Sequence, residues 1–217
     1  MWQFLKRSPV TSAIVGTVLL IALTAILYAI ITRAGDDGFK RIDGKMLHWD
    51  RRDLPLVCFY PDGTPETLIE FYGVAAHTIN DAVGETLLRP CSPWMLANKP
   101  MPKVPTQGLV YLQQGVGEVE TESTTFEDEN DPETGGRTLL YYDIRTGLLR
   151  SAIVQIGSNL QGKDAAVFLH ELGHVLGLEH DRTKDSIMYE NVSGRPGGLT
   201  QKDAKLLKGA YGSTIGN

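Results

Sequence analysis

The sequence predicts a layered α/β or α+β domain with a partly parallel sheet. Three observations lead there. Short apolar runs bounded by turn residues read as strands. An apolar period of three to four residues marks a long helix just after the first run. The resulting strand–helix–strand order favours a crossover between parallel strands.

Leu54–Tyr60 (LPLVCFY) is the first such run, and it ends at Pro-Asp-Gly, a turn signal. Thr64-Pro65 supplies an N-cap followed by proline at the first helical position. Leu68, Phe71, Tyr72, Ala75, Ala76, Ile79 and Val83 then repeat at helical spacing, predicting an amphipathic helix over 65–84. Arg89–Pro105 is proline-rich and reads as irregular. Gly108–Gln113, Thr138–Asp143 and Leu148–Ile156 read as further strands. A second helix is expected from Asp164 to about Leu176. Thr200 opens a third, with Asp203 three positions on in a capping-box arrangement.

The chain has 217 residues and a formal net charge of −5. It has no basic stretch interleaved with aromatics, so nucleic acid is not an expected partner. Two cysteines, Cys58 and Cys91, are too few for a disulfide-built scaffold. No internal repeat is visible. Apart from the N-terminal apolar block, the chain suits one compact domain with a real core, expected as a monomer.

Ala13–Thr32 holds twenty residues without a charge, about the length that spans a bilayer as a helix. The preferred reading is an uncleaved signal anchor, with 1–12 in the cytoplasm, 33–45 as a linker and the 46–217 domain outside. A cleaved signal peptide is the alternative, giving a secreted protein. Its apolar stretch would exceed the usual length, and Thr32-Arg33-Ala34 is a poor cleavage site. Lys6 and Arg7 precede the block, while Arg33, Lys40, Arg41 and Lys45 follow it, so the count of basic residues alone argues for the opposite orientation.

The chemistry concentrates in residues 170–181, HELGHVLGLEHD. His170 and His174 are four apart, so on a helix both imidazoles project from one face toward a common ion. Glu171 lies about a hundred degrees round the helix, able to reach water beside the metal without competing as a ligand. Gly177 suits the left-handed residue that ends a helix, and the turn brings His180 to the same ion. Three neutral imidazoles leave a fourth position open, which marks a catalytic zinc site. Zinc lowers the pKa of its bound water to about 7 and polarises a carbonyl. Glu171 can then pass the water's proton to a leaving amine.

The HExxHxxGxxH pattern and the following Ser186-Ile187-Met188-Tyr189 resemble the metzincins, specifically the matrixin-like metalloproteases. The likeness places Met188 beneath the metal and has Asp203 hydrogen-bonding near that turn. Leu199–Asp203 and Ala210-Tyr211-Gly212 resemble the family's last helix. Trp49-Asp50 and the strand after it resemble the start of the catalytic domain, so the likeness runs from about 46 to 213. It implies a mostly parallel five-stranded sheet, an active-site helix and a small C-terminal subdomain. It also implies protein or peptide substrates that lie antiparallel to an edge strand. Residues 138–143 and 148–156 are the candidates for that edge.

The chain also departs from the family's pattern. No cysteine-switch propeptide is visible. The ligands of a second, structural zinc are missing, since His48 and His77 are the spare histidines. His77, within the amphipathic helix, reads as a partly buried residue. Cys91 is expected to pair with Cys58, which suits an oxidising compartment. Glu118–Glu133 carries eight acids and no base. Oxygen ligands of that kind suit Ca2+, but a solvated loop is the preferred reading. A zinc-dependent endopeptidase is therefore the leading reading. A zinc-stabilised, membrane-anchored binding module without turnover is its rival, and the intact Glu171 argues against it.

Overall fold

A computed structural model describes residues 18–24, 26, 38–59, 66–91, 106–114, 125–127, 135–157, 164–189 and 198–212. The chain divides into two compact units, Met1–Asp37 and Gly38–Asn217. In the first, residues 18–24 and 26 are helical and expose Val18, Leu19, Leu20, Ile21, Leu23 and Ile26. Among the described residues no helix is long and apolar enough to cross a membrane. The rest of the expected span at 13–32 lies outside them.

The second unit begins with a small antiparallel pair, β1 (Arg41–Ile42) and β2 (Lys45–Met46). It continues with β3 (Leu56–Phe59), α1 (Glu66–Val83), β4 (Arg89–Pro90), β5 (Leu109–Gln114), β6 (Thr125–Glu127), β7 (Gly136–Tyr142) and β8 (Leu149–Ile156). Helices α2 (Asp164–Val175) and α3 (Gln201–Tyr211) complete it. The main sheet has the order β4-β3-β5-β8-β7-β6. β3 is parallel to β4 and to β5, and β5 is parallel to β8, whereas β7 runs antiparallel to β8 and β6 antiparallel to β7. The β3–α1–β4 order is the crossover that parallel strands need.

Alternation along β7 and β8 decides what faces the helices. Leu140, Tyr142, Ala152, Val154 and Ile156 join the main core, with α1, α2 and α3. Leu139, Tyr141 and Ile153 point to the opposite face, where they cluster with Cys58, Leu109 and Tyr111. α2 packs on α1 and on the β7–β8 face. In α1 the buried side chains are Leu68, Tyr72, Ala75, Ala76, Ile79 and Val83, a single helical stripe.

The expected mostly parallel sheet is present, with the three-residue β6 as a sixth strand along β7. The structure corrects four expectations. Residues 38–45 are not a linker. The Phe39–Leu178 bridge and the Lys40 N–H to Gly177 O bond (2.8 Å) tie them to the chain after α2. Residues 125–127, inside the acidic stretch, form a strand on β7; the remainder of 118–133 lies outside the described residues. Neither 138–143 nor 148–156 is an edge, since β7 sits between β8 and β6 and β8 between β5 and β7. His77 is exposed on α1, with Nε2 3.2 Å from Asp81 Oδ2 one turn on.

Candidate active site

α2 carries the first three residues of the site, and its C-terminal end positions the fourth. The helix stops because Gly177 takes φ +87°, a conformation costly for residues with a Cβ. The Leu178 N–H donates to Gly173 O (3.0 Å) and the Gly177 N–H to His174 O (2.8 Å), the paired bonds of a Schellman cap. Two side chains from distant elements serve the next carbonyls. The Trp49 indole donates to Val175 O at 2.7 Å and the Tyr211 hydroxyl to Leu176 O at 2.8 Å. Both rings are almost wholly buried, so the end of α2 is held by packing as well as by hydrogen bonds. The chain then turns back and brings His180 over the helix.

The three imidazoles meet at their Nε2 atoms. His170 and His174 are 3.0 Å apart there, His174 and His180 3.2 Å, and His180 and His170 3.3 Å. The other ring nitrogens of the first two are fixed. His170 Nδ1 donates to Ile187 O at 2.7 Å and His174 Nδ1 to Leu178 O at 2.9 Å. A carbonyl oxygen can only accept, so each Nδ1 carries a proton and the neutral ring presents a bare lone pair at Nε2. Lone pairs facing each other at 3.0 Å repel unless a cation lies between them. Three ligands at Zn–N distances of about 2.0–2.1 Å in a tetrahedral site stand roughly 3.3 Å from one another. The residues therefore fit zinc in donor type, tautomer and spacing. His48 and His77 do not join this group. His48 Nδ1 donates instead to Met46 O at 3.0 Å.

Glu171 is buried beside the histidines, 3 % exposed. Its Oε2 accepts from the Thr138 hydroxyl at 2.5 Å. Met188 is buried with its sulfur against Gly173 of α2, where a Cβ would collide with it. The turn that carries Met188 is held from α3. Asp203 Oδ1 accepts from the Ser186 hydroxyl (2.7 Å), and Oδ2 accepts from the Ile187 N–H (3.1 Å) and the Thr200 N–H (3.1 Å). The Asp203 N–H in turn donates to Thr200 Oγ1, closing the capping box of α3.

The sequence profile of the matrixin peptidases matches residues 92–212, more than half of the chain, including the three histidines, Glu171, Met188 and Asp203. The chain belongs to the matrixin family. Membership implies a metalloprotease, with zinc as the family's metal and protein or peptide as its substrate class. No curated protein gives a match. Residues 46–91, which include Trp49 and β3, lie outside the matched segment of this matrixin.

Asp181 and the two cysteines lie around this centre and away from it, respectively. Asp181, next to His180, binds the Lys202 ammonium, and its N–H donates to Met188 O at 2.7 Å. Burial pushes its carboxyl up, but Lys202 and the Thr183 N–H outweigh that and hold it below the ordinary range. Cys58 and Cys91 are joined by a disulfide, Cα–Cα 5.0 Å, on the sheet face away from the helices. Thr138 and Gly136, which contact Glu171, escaped the sequence reading. A polar residue two positions from a glycine in an apolar strand was the available signal, but which face each occupies depends on packing.

Proposed function

We propose that this matrixin is a zinc-dependent endopeptidase that cleaves internal peptide bonds of proteins outside the cytoplasm, with Glu171 as its proton carrier. The observation that carries the reading is the convergence of three Nε2 atoms at 3.0–3.3 Å, with the buried Glu171 on the same helix as two of them. His170, His174 and His180 would hold the metal. When bound there, zinc supplies a Lewis acid for the scissile carbonyl and makes water a competent nucleophile near neutral pH. Glu171 takes the proton of the attacking water and returns it to the amine nitrogen that leaves. Ile187 O and Leu178 O keep two of the rings in the ligating tautomer, and Met188 packs against Gly173 of the same helix.

The test is cleavage of casein and of peptide libraries by the full chain and by Glu171→Ala at matched zinc content. Loss of a general base lowers kcat by about 10²–10⁴-fold. Equal cleavage by both proteins would remove the enzyme reading.

The site faces the outside of the cell in this proposal, anchored by 13–32. The uncharged twenty-residue block supports it, as does a disulfide, which persists in oxidising compartments. Protease added to intact cells should digest the C-terminal domain. N-terminal sequencing of the mature protein separates an anchored form from a secreted one.

A further inference from the structure

β7 reaches α2 through two residues that share one face of the strand. Gly136 and Thr138 are two apart, so both look toward the helices. Thr138 is 1 % exposed and Glu171 3 % exposed. The Thr138 hydroxyl has two oxygens of Glu171 within reach, the carboxylate Oε2 at 2.5 Å and the backbone carbonyl at 3.3 Å. The shorter contact lies in the range of charge-assisted O–H···O⁻ bonds, so the proton points at the carboxylate. Gly136 makes the room. A Cβ there would stand 2.5 Å from Glu171 Oε1, 2.8 Å from Cγ and 2.9 Å from Cδ. Any larger residue would drive the side chain out of its present rotamer. The strand itself cannot give way easily, because β7 is paired along its length with β8, Gly136 opposite Ile156 and Thr138 opposite Val154.

We propose that Thr138 is a positioning residue for the general base, its hydroxyl and the notch at Gly136 together fixing the Glu171 carboxylate in its proton-transferring orientation. The proposal rests on the endopeptidase reading, in which Glu171 carries the proton. A carboxylate side chain has several carbon–carbon torsions, and each state misaligned with the reacting water is lost to catalysis. The hydroxyl acts on Glu171 and not on the peptide, so substrate affinity should be untouched.

The experiment compares full-chain Thr138→Val, Thr138→Ala and Thr138→Ser with the parent. Zinc content, kcat and KM are measured for each. Valine keeps the shape of threonine and deletes the donor. The expected result is a kcat about ten- to a hundredfold lower for Thr138→Val and Thr138→Ala. KM should stay within about twofold of the parent, zinc should remain bound, and Thr138→Ser should regain most of the rate. A second readout needs neither metal nor turnover. In the zinc-free protein, the urea midpoint shifts of Thr138→Val and Glu171→Ala should fail to add in the double variant. Parental kcat in Thr138→Val, or additive midpoints, overturns the proposal while leaving the function intact if Glu171→Ala is inactive. A Glu171→Ala protein that cleaves at the parental rate overturns both.

Discussion

Asp203 and Ile187 are joined by a hydrogen bond of 3.1 Å from the Ile187 N–H to Asp203 Oδ2, and the carbonyl of the same Ile187 accepts from His170 Nδ1 at 2.7 Å. The cap of the last helix thus reaches His170 through a single residue. Replacing Asp203 with alanine leaves the Ser186 hydroxyl and the Ile187 and Thr200 N–H groups without their acceptor. Buried bonds to a charged group are each worth about 1.5–3 kcal/mol. The expected outcome is a loss of more than about 3 kcal/mol in urea unfolding, together with weaker zinc retention in competition with a chelator.

The turn after α2 gives a second prediction. Gly177 has φ +87°, and a Cβ there would strike the Leu47 carbonyl. Gly177→Ala should cost more than the roughly 1–2 kcal/mol of the left-handed conformation alone. Because His180 follows this turn, zinc affinity should fall with stability. Calorimetry of zinc binding beside a denaturation curve checks both.

How much of this was legible in the residues differs from place to place. The spacing of His170, His174 and His180 and the Thr200–Asp203 cap are local patterns, so sequence alone carries them. β3, β5, β7 and β8 were also visible, because each buries an apolar run. Four features were not. β4, two exposed residues, opens the stretch that reads as irregular. The 38–45 segment looks like a linker, since its bonds to Gly177 and Leu178 come from far along the chain. The 125–127 strand is hidden in an acidic run, where only pairing with β7 reveals it. Thr138 acquires a role only when β7 turns that face toward α2.

Alkaline pH should unfold the domain in a defined window. Burial raises the phenols of Tyr72 and Tyr211 above their ordinary value of 10.0. In the unfolded chain both ionise near 10, so the folded state holds more protons above that pH. The stability they contribute is complete below pH 10 and falls as pH rises past it. Absorbance at the tyrosinate band should show two phenols that ionise only with loss of circular dichroism. Ionisation of all tyrosines in the native state would contradict this.

The Cys58–Cys91 disulfide closes a separation of 33 residues between β3 and the end of β4. A loop of that size restricts the unfolded chain by about 3–4 kcal/mol. Reduction should lower the urea midpoint accordingly. It should leave zinc bound under native conditions, because the bridge lies on the sheet face away from α2.

X-ray absorption at the zinc edge of the reconstituted full chain tests the centre most directly. The expected spectrum shows three imidazole ligands at about 2.0–2.1 Å with one further light donor, and loss of ordered zinc in His174→Ala. Sulfur scattering at about 2.3 Å, fewer than three imidazoles, or a folded chain that retains no zinc would contradict the account.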